Sequence, residues 1–128
     1  MSRRTIATEN APAAIGTYSQ AVAVAGETVY LSGQIPLHPE TMEIESADFV
    51  EQAHQVFKNL SAVAAASGGS LADCVKLNCY LVGLADFAAL NEVMAEYISE
   101  PYPARAAFQV SALPRGARIE IDGVMCLT

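Results

Sequence analysis

The sequence predicts a single α+β domain in which two helices cover one face of a β-sheet. At 128 residues the chain fits one domain, residues 1–128, and can bury a sizeable core. Two segments show the i, i+3, i+4 recurrence of apolar residues that marks amphipathic helices, and other apolar runs have strand character. Because two helices cannot cover both faces of a sheet of this size, we expect them to pack on the same face.

The first third of the chain is predicted to consist of strands. A short strand precedes the turn at residues 9–12. Residues 19–25 alternate loosely, and residues 28–35 form a β-branched, apolar run that ends at Pro36. The tight turn at Gly26 between these two segments predicts a β-hairpin.

Two helices are predicted in the middle of the chain. Asp48 is a favourable N-cap, and Glu51 three residues later predicts a capping box. The glycine pair at 68–69 ends this helix. Asp86 is the predicted N-cap of a second helix, which runs to about Ile98.

Three further strands are predicted at residues 74–82, 104–110 and 118–126. In the first of them, alternation places Val75, Leu77, Cys79 and Leu81 on one face. The last two strands are joined by a connection of about seven residues, so we expect them to pair in antiparallel fashion. The predicted order of elements is therefore β-β-α-β-α-β-β, with one more short strand at the start.

The sheet face that the helices leave open needs a cover of its own, because apolar side chains are expected there as well. They are Tyr80 and Val82, with Val29 or Tyr30 and Phe108 or Ala107. Hydrophobic residues make up 52% of the chain, only 16% is charged, and the mean hydropathy is +0.28. This composition indicates that apolar surface is buried between subunits, so we expect an oligomer.

Composition also argues against several classes of protein. A net charge of −7 repels phosphate backbones, which disfavours nucleic-acid binding. Three cysteines without CxxC spacing favour reduced thiols over disulfides or zinc, and two unpaired histidines make a metal site unexpected. Neither a membrane span nor a secretory signal is predicted, so the expected location is the cytoplasm.

Two charged residues interrupt apolar strands and are the main candidates for chemistry. Period-2 counting places Arg105 on one face of its strand and Glu120 on one face of the last strand. With antiparallel pairing, both would lie close together on the open face. An isolated charge in such a place costs free energy unless it is paired or used. The pair is either a cross-strand salt bridge or a site for a small organic acid, with Arg105 gripping its carboxylate.

Three other positions are candidates for lining such a site. Gly33, beside Ser32 and inside an apolar strand, predicts a bulge that bares backbone amides, or simply the strand end before Pro36. Tyr18 stands at the mouth of a strand and Asn91 beside the apolar stripe of the second helix. Either residue could instead serve only in packing or capping.

At these residues the chain resembles the RidA/YjgF family of reactive-intermediate imine deaminases. The resemblance runs nearly end to end. It is carried by residues 5–16, by the Ser-Gly-Gln-Ile-Pro run at 32–36, by Asp86, Phe87 and Asn91, by Tyr-Pro-Ala-Arg at 102–105, and by Ile-Glu-Ile at 119–121.

The resemblance implies a chorismate-mutase-like (YjgF-like) fold, a mixed sheet with two helices on one face, and a homotrimer with sites at the subunit clefts. It implies hydrolysis of 2-aminoacrylate, 2-iminopropanoate and 2-iminobutanoate to 2-keto acids and ammonia, without a cofactor or a metal. Arg105 would hold the substrate carboxylate, and Glu120 would orient the attacking water. Gly33 with Ser32 would offer backbone contact, and Tyr18 and Asn91 would line the cleft.

Two departures and two alternatives accompany the resemblance. Many members carry a cysteine where this chain has Ala107, and the stretch from Ile98 to Pro103 is shorter than in some, so the substrate range stays open. One alternative is an enamine deaminase of a single pathway, of the aminomuconate or 3-aminoacrylate type. The other is a non-catalytic ligand-binding or chaperone-like protein, or an RNA-directed, endoribonuclease-like one.

Overall fold

The computed structural model describes residues 3–128, and its strands and helices follow the predicted order. The elements, in chain order, are β1 (Arg4–Ile6), β2 (Ala21–Ala23), β3 (Glu27–Gln34), α1 (Phe49–Ala66), β4 (Cys74–Leu81), α2 (Phe87–Tyr97), β5 (Ala104–Gln109) and β6 (Ile119–Leu127). Short 3-10 turns precede β4, α2 and β6. No helix in this described part of the chain is long and apolar enough to cross a membrane.

The main sheet has four strands in the order β3-β6-β4-β5, with β4 and β5 parallel and the other pairs antiparallel. Both helices lie on one face of it, which confirms the predicted α+β architecture. The core between helices and sheet contains Val56, Phe57 and Leu60 from α1 and Leu77 from β4, all fully buried.

The predicted hairpin of residues 19–25 with residues 28–35 is wrong. β2 pairs with β1 in a separate two-stranded sheet, and β3 pairs with β6. The eight residues of β3 gain a longer ladder of hydrogen bonds from the nine-residue β6 than the three-residue β2 can offer. The chain still bends at Gly26, whose φ of +147° suits glycine.

The predicted antiparallel pairing of the last two strands is also wrong. β4 lies between β5 and β6, and β5 runs parallel to β4. Helix α2 connects β4 to β5 and returns the chain to the end of the sheet where β4 began, which produces parallel pairing. This difference decides which face of the sheet Arg105 occupies.

The structure confirms some of the predicted helix caps and not others. The Asp48 carboxylate accepts a hydrogen bond from the Glu51 amide at 3.0 Å, as an N-cap does, but the Glu51 carboxylate contacts Ser46, so the capping box is incomplete. Gly68, at φ +96°, follows the end of α1 as predicted. Asp86 does not cap α2 through its side chain, because its carboxylate accepts from Arg118 Nη2 at 2.8 Å.

Candidate active site

Arg105 lies on the helix-covered face of the sheet, on the edge strand β5. Its Cα is in register with that of Leu77 on β4, and Leu77 is fully buried under the helices. Neighbouring residues in register share a face, so the Arg105 side chain extends towards α2. The expectation that Arg105 would occupy the open face is therefore wrong, because it depended on pairing β5 with β6.

Neutral side chains hold one end of the Arg105 guanidinium. Nη1 donates to Asn91 Oδ1 at 2.7 Å and to Thr17 Oγ1 at 2.9 Å. The Thr17 hydroxyl donates in turn to Asn91 Oδ1 at 3.0 Å, and Asn91 Nδ2 donates to the Phe87 carbonyl at 3.2 Å. That last bond, one turn back along α2, orients the amide so that its oxygen faces the cation.

Aromatic rings and close backbone approach complete the surroundings of Arg105. Its Cζ lies 5.0 Å from the ring centroid of Tyr18 and 5.4 Å from that of Phe87, within the range of cation–π attraction. A β-carbon at Gly16 would lie 3.2 Å from Arg105 Nη2 and 3.1 Å from Asn91 Oδ1. A glycine at this position therefore lets the chain pass tightly over the guanidinium.

Arg105 has no carboxylate partner within 4 Å among residues 3–128. In the same part of the chain all its hydrogen bonds leave from Nη1, so Nη2 and Nε have no acceptor. Burial lowers the pKa of Arg105, while the neighbouring Cys79 and Tyr18 raise it. Since arginine stays protonated in proteins, the result is a half-buried cation with two donor groups free for an external anion.

Glu120 lies on the other face of the sheet, beside the predicted bulge in β3. Its Cα pairs with that of Tyr80, whose side chain is on the open face. The register between β3 and β6 shifts between Leu31 and Gln34, which confirms the bulge at Ser32 and Gly33. A β-carbon at Gly33 would collide with the Glu120 carboxylate and lie 3.0 Å from its Cδ. The carboxylate thus rests directly on the Gly33 backbone.

The candidate residues therefore form two groups. Tyr18, Asn91 and Arg105 lie together, whereas Gly33 and Glu120 lie together on the opposite face, with Ser32 exposed beside them. A cavity of about 940 Å³ adjoins the first group through Tyr18, but neither Arg105 nor Glu120 lines it. Because Arg105 and Glu120 extend from opposite faces of the sheet, they do not point into a common space within one chain.

Sequence reasoning missed two residues of the first group, Thr17 and Phe87, as contacts of Arg105. Thr17 is 7% exposed, and its hydroxyl bridges the cation and Asn91. Its place between Gly16 and Tyr18 was the available signal. Phe87 has the spacing of an apolar core residue of α2, and it packs against the core as well as against Arg105.

No three His, Cys, Asp or Glu side chains of residues 3–128 come together in a way that could hold a metal ion. The three cysteines are free and buried. Burial raises the pKa of the Cys79 thiol to about 12, although nearby Arg105 opposes this. The Cys79 thiol is therefore protonated at neutral pH and makes a poor nucleophile or ligand.

Comparison with known proteins gives one family. Residues 8–126 match the family described as Endoribonuclease L-PSP. The RutC family protein y4sK of Sinorhizobium fredii is 50% identical over 123 residues, covering 96% of this chain and 97% of that protein. The human 2-iminobutanoate/2-iminopropanoate deaminase is 44% identical over 122 residues, covering 95% of this chain and 88% of that protein.

Solved structures agree with the sequence comparison. The crystal structure of RidA from an Antarctic Psychrobacter species is 55% identical and superposes with a TM-score of 0.77. The alignment covers 97% of this chain and 99% of the other. The chain therefore belongs to the RidA/YjgF family, whose family model is described as Endoribonuclease L-PSP.

Proposed function

We propose that this protein hydrolyses 2-imino acids and their enamine tautomers, such as 2-aminoacrylate, 2-iminopropanoate and 2-iminobutanoate, to 2-keto acids and ammonia. The observation that carries the proposal is the half-buried Arg105, which lacks a carboxylate partner among residues 3–128 and has two donor groups free. A guanidinium in this state suits the carboxylate of a small acid. The name of the human relative supports the same reaction.

The reaction asks little of the protein beyond binding and placing a water molecule. Once its nitrogen is protonated, the imine carbon is a strong electrophile. Water adds to that carbon while Glu120 accepts a proton, which gives a carbinolamine. Glu120 then returns its proton to the carbinolamine nitrogen and the C–N bond breaks. The hydroxyl proton passes to the departing ammonia as the carbonyl forms. Water is the nucleophile and a carboxylate moves the proton, so no cofactor or metal is needed.

We further propose that each site is built by two subunits of a homotrimer. Arg105 and Glu120 occupy opposite faces of the sheet, so one small substrate requires the Arg105 of one subunit and the Glu120 of another. Tyr30 and Phe108 on the open face are 80% and 46% exposed, a surface that a neighbouring subunit would cover.

The other candidate residues take supporting roles in this composite site. Tyr18 and Asn91 hold the cation and line its side of the cleft, while Gly33, with Ser32 beside it, offers backbone amides on the Glu120 side. The three free, buried thiols support a reducing cytoplasmic location.

Replacement of Arg105 by alanine tests the proposal. Imines are generated by an amino-acid oxidase and trapped with semicarbazide, and a deaminase lowers the semicarbazone yield. Loss of two charge-assisted hydrogen bonds predicts a fall in kcat/KM of about 100-fold or more. The control is Arg115→Ala, because Arg115 is exposed and, within residues 3–128, donates only to the Met42 carbonyl. Wild-type activity in Arg105→Ala would contradict the proposal.

A narrower enamine deaminase is the first alternative and would use the same arginine. It is separated from the general enzyme by comparing kcat/KM for 2-aminoacrylate, 3-aminoacrylate and aminomuconate. Similar values for several 2-imino acids support the general enzyme. A preference of about 100-fold or more for one longer enamine would favour the specialised one.

The family description also raises cleavage of RNA as a second candidate function. The net charge of −7 opposes it, because phosphate binding depends on basic side chains. A nuclease assay that compares wild type, Glu120→Ala and a mock preparation tests whether the protein cleaves RNA. RNA cleavage present in wild type and absent from both others would favour the nuclease.

A further inference from the structure

A second polar network lies beside Glu120 on the open face of the sheet. Asp122, two residues after Glu120 on β6, uses both of its carboxylate oxygens. Oδ1 accepts from Asn78 Nδ2 at 2.7 Å, and Oδ2 accepts from the Tyr80 hydroxyl at 2.7 Å. Both donors come from β4, where Asn78 is directly opposite Asp122 and Tyr80 is directly opposite Glu120.

Two carboxylates, those of Glu120 and Asp122, are neighbours of Tyr80 and could accept a hydrogen bond from its hydroxyl. Its direct cross-strand neighbour is Glu120, yet its hydroxyl bonds to Asp122, the diagonal neighbour. Opposite residues in an antiparallel pair have β-carbons about 5 Å apart, so long side chains there are within reach of one another. Phe108 packs edge-on against the Tyr80 ring, with centroids 5.3 Å apart, and limits its orientation.

The Tyr80 hydroxyl keeps its proton across the physiological range. Its hydrogen bond to Asp122 is the main cause that raises the pKa of Tyr80 to about 12, and burial and the charges of Asp122 and Glu120 add to it. A protonated phenol beside two carboxylates donates to one of them. Within residues 3–128 the Glu120 carboxylate accepts no hydrogen bond. The Tyr80 hydroxyl, which could donate to Glu120, donates to Asp122 instead.

We propose that Asp122 is a positioning residue for Glu120 and acts by engaging the Tyr80 hydroxyl. This inference rests on the proposed deaminase function, in which Glu120 must take a proton from water. A hydrogen bond from Tyr80 to Glu120 would stabilise the ionised carboxylate, weaken it as a base and turn it away from the substrate. Asp122 removes that competitor, and Asn78 fixes Asp122 in place.

The test is a double-mutant cycle on Asp122→Asn and Tyr80→Phe in the full-length protein. In Asp122→Asn the remaining acceptor is neutral, so the hydroxyl turns to the charged Glu120, the stronger acceptor. We expect kcat to fall by about tenfold with KM within about twofold, because the carboxylate grip of Arg105 is untouched. Tyr80→Phe, which lacks the hydroxyl, should keep kcat within about twofold of wild type.

The double variant separates positioning from mere structural support. If the freed hydroxyl is what harms Glu120, then Asp122→Asn with Tyr80→Phe recovers kcat to within about threefold of wild type. If Asp122 only stabilises the sheet, or acts only through its charge, the double variant stays as slow as Asp122→Asn. That result would overturn the proposal, as would full activity in Asp122→Asn or a tenfold loss in Tyr80→Phe.

Two controls keep the outcome interpretable. Thermal melting and size-exclusion chromatography establish that each variant folds and assembles. Should Asp122→Asn fail to assemble, Asp122→Ala frees the same hydroxyl and takes its place in the cycle. A wild-type protein without deaminase activity would refute the proposed function itself, whereas an active wild type with an unchanged Asp122→Asn would refute only the role of Asp122.

Discussion

Arg105 and Glu120 occupy opposite faces of the same sheet, on strands that are separated by β4. Arg105 on β5 is in register with the buried Leu77, and Glu120 on β6 is in register with Tyr80 on the open face. The two residues therefore cannot form the cross-strand salt bridge that would account for their presence in apolar strands. Each charge needs a different explanation, and the proposed site shared between subunits would supply one for both.

Gly33→Ala is expected to disable Glu120 without unfolding the protein. The added methyl group would collide with the Glu120 carboxylate and force it to move. Because a displaced base misplaces the attacking water, we expect kcat to fall by about tenfold or more. Gly83→Ala is the matched control, since its nearest neighbour would be Asp86 Oδ2 at 3.9 Å. Equal activity of the two variants would contradict the role given to Glu120.

Thr17→Val should loosen Arg105 while preserving side-chain size. The change removes the acceptor for Arg105 Nη1 and the donor to Asn91 Oδ1. We expect the free energy of unfolding to fall by about 1–3 kcal/mol and KM for the imino acid to rise several-fold. Denaturant titration and steady-state kinetics measure the two effects. Thr28→Val, at an exposed site on β3, should change the free energy of unfolding by no more than about 0.5 kcal/mol and leave KM unchanged.

Stability should fall as the pH rises above 9 because two thiols are buried in protonated form. Burial raises the pKa of Cys79 from 9.0 to about 12 and that of Cys74 to about 11. Below pH 9 the two thiols contribute fully to the free energy of unfolding, because they are protonated in the folded and in the unfolded chain alike. Above it each unfolded thiol ionises, so the loss is about 1.4 kcal/mol per thiol per pH unit until the folded pKa is reached.

Urea unfolding of wild type and Cys79→Ala between pH 8 and 10.5 measures this loss. The variant has a lower free energy of unfolding throughout. Because it lacks one buried thiol, its free energy of unfolding should decline less steeply with pH, by about 1.4 kcal/mol per pH unit. Comparison of the two slopes cancels every contribution that both proteins share. Parallel curves for the two proteins would show that Cys79 does not titrate as its burial requires.

Local features of the sequence predicted much of this fold. The Asp48 cap, the glycine pair that ends α1 and the alternation of Leu77, Cys79 and Leu81 each depend on residues close in the chain, and the structure agrees with them. A bulge in β4 between Cys74 and Lys76 was not foreseen. It buries Cys74 instead of Val75, so the alternation shifts by one residue at that end.

Strand pairing could not be predicted in the same way, because it depends on which distant segments compete for each edge. The choice of β4 over β6 as the partner of β5 places Arg105 under α2, beside Thr17 and Asn91. The alternation within each strand correctly predicted which residues share a face with Arg105 and which share a face with Glu120. Whether Arg105 and Glu120 themselves share a face depends on the order of the strands, which no pattern within either strand contains.

The most direct test of a shared site is to mix two inactive variants. Arg105→Ala and Glu120→Ala subunits, carrying different affinity tags, are co-expressed, and the assemblies that contain both tags are assayed for imine deamination with each pure variant as control. In the proposed trimer, every assembly that contains both variants has one complete site of three, so these assemblies should recover about a third of wild-type activity. Mixed assemblies as inactive as the pure variants would contradict a site composed of Arg105 from one subunit and Glu120 from the next.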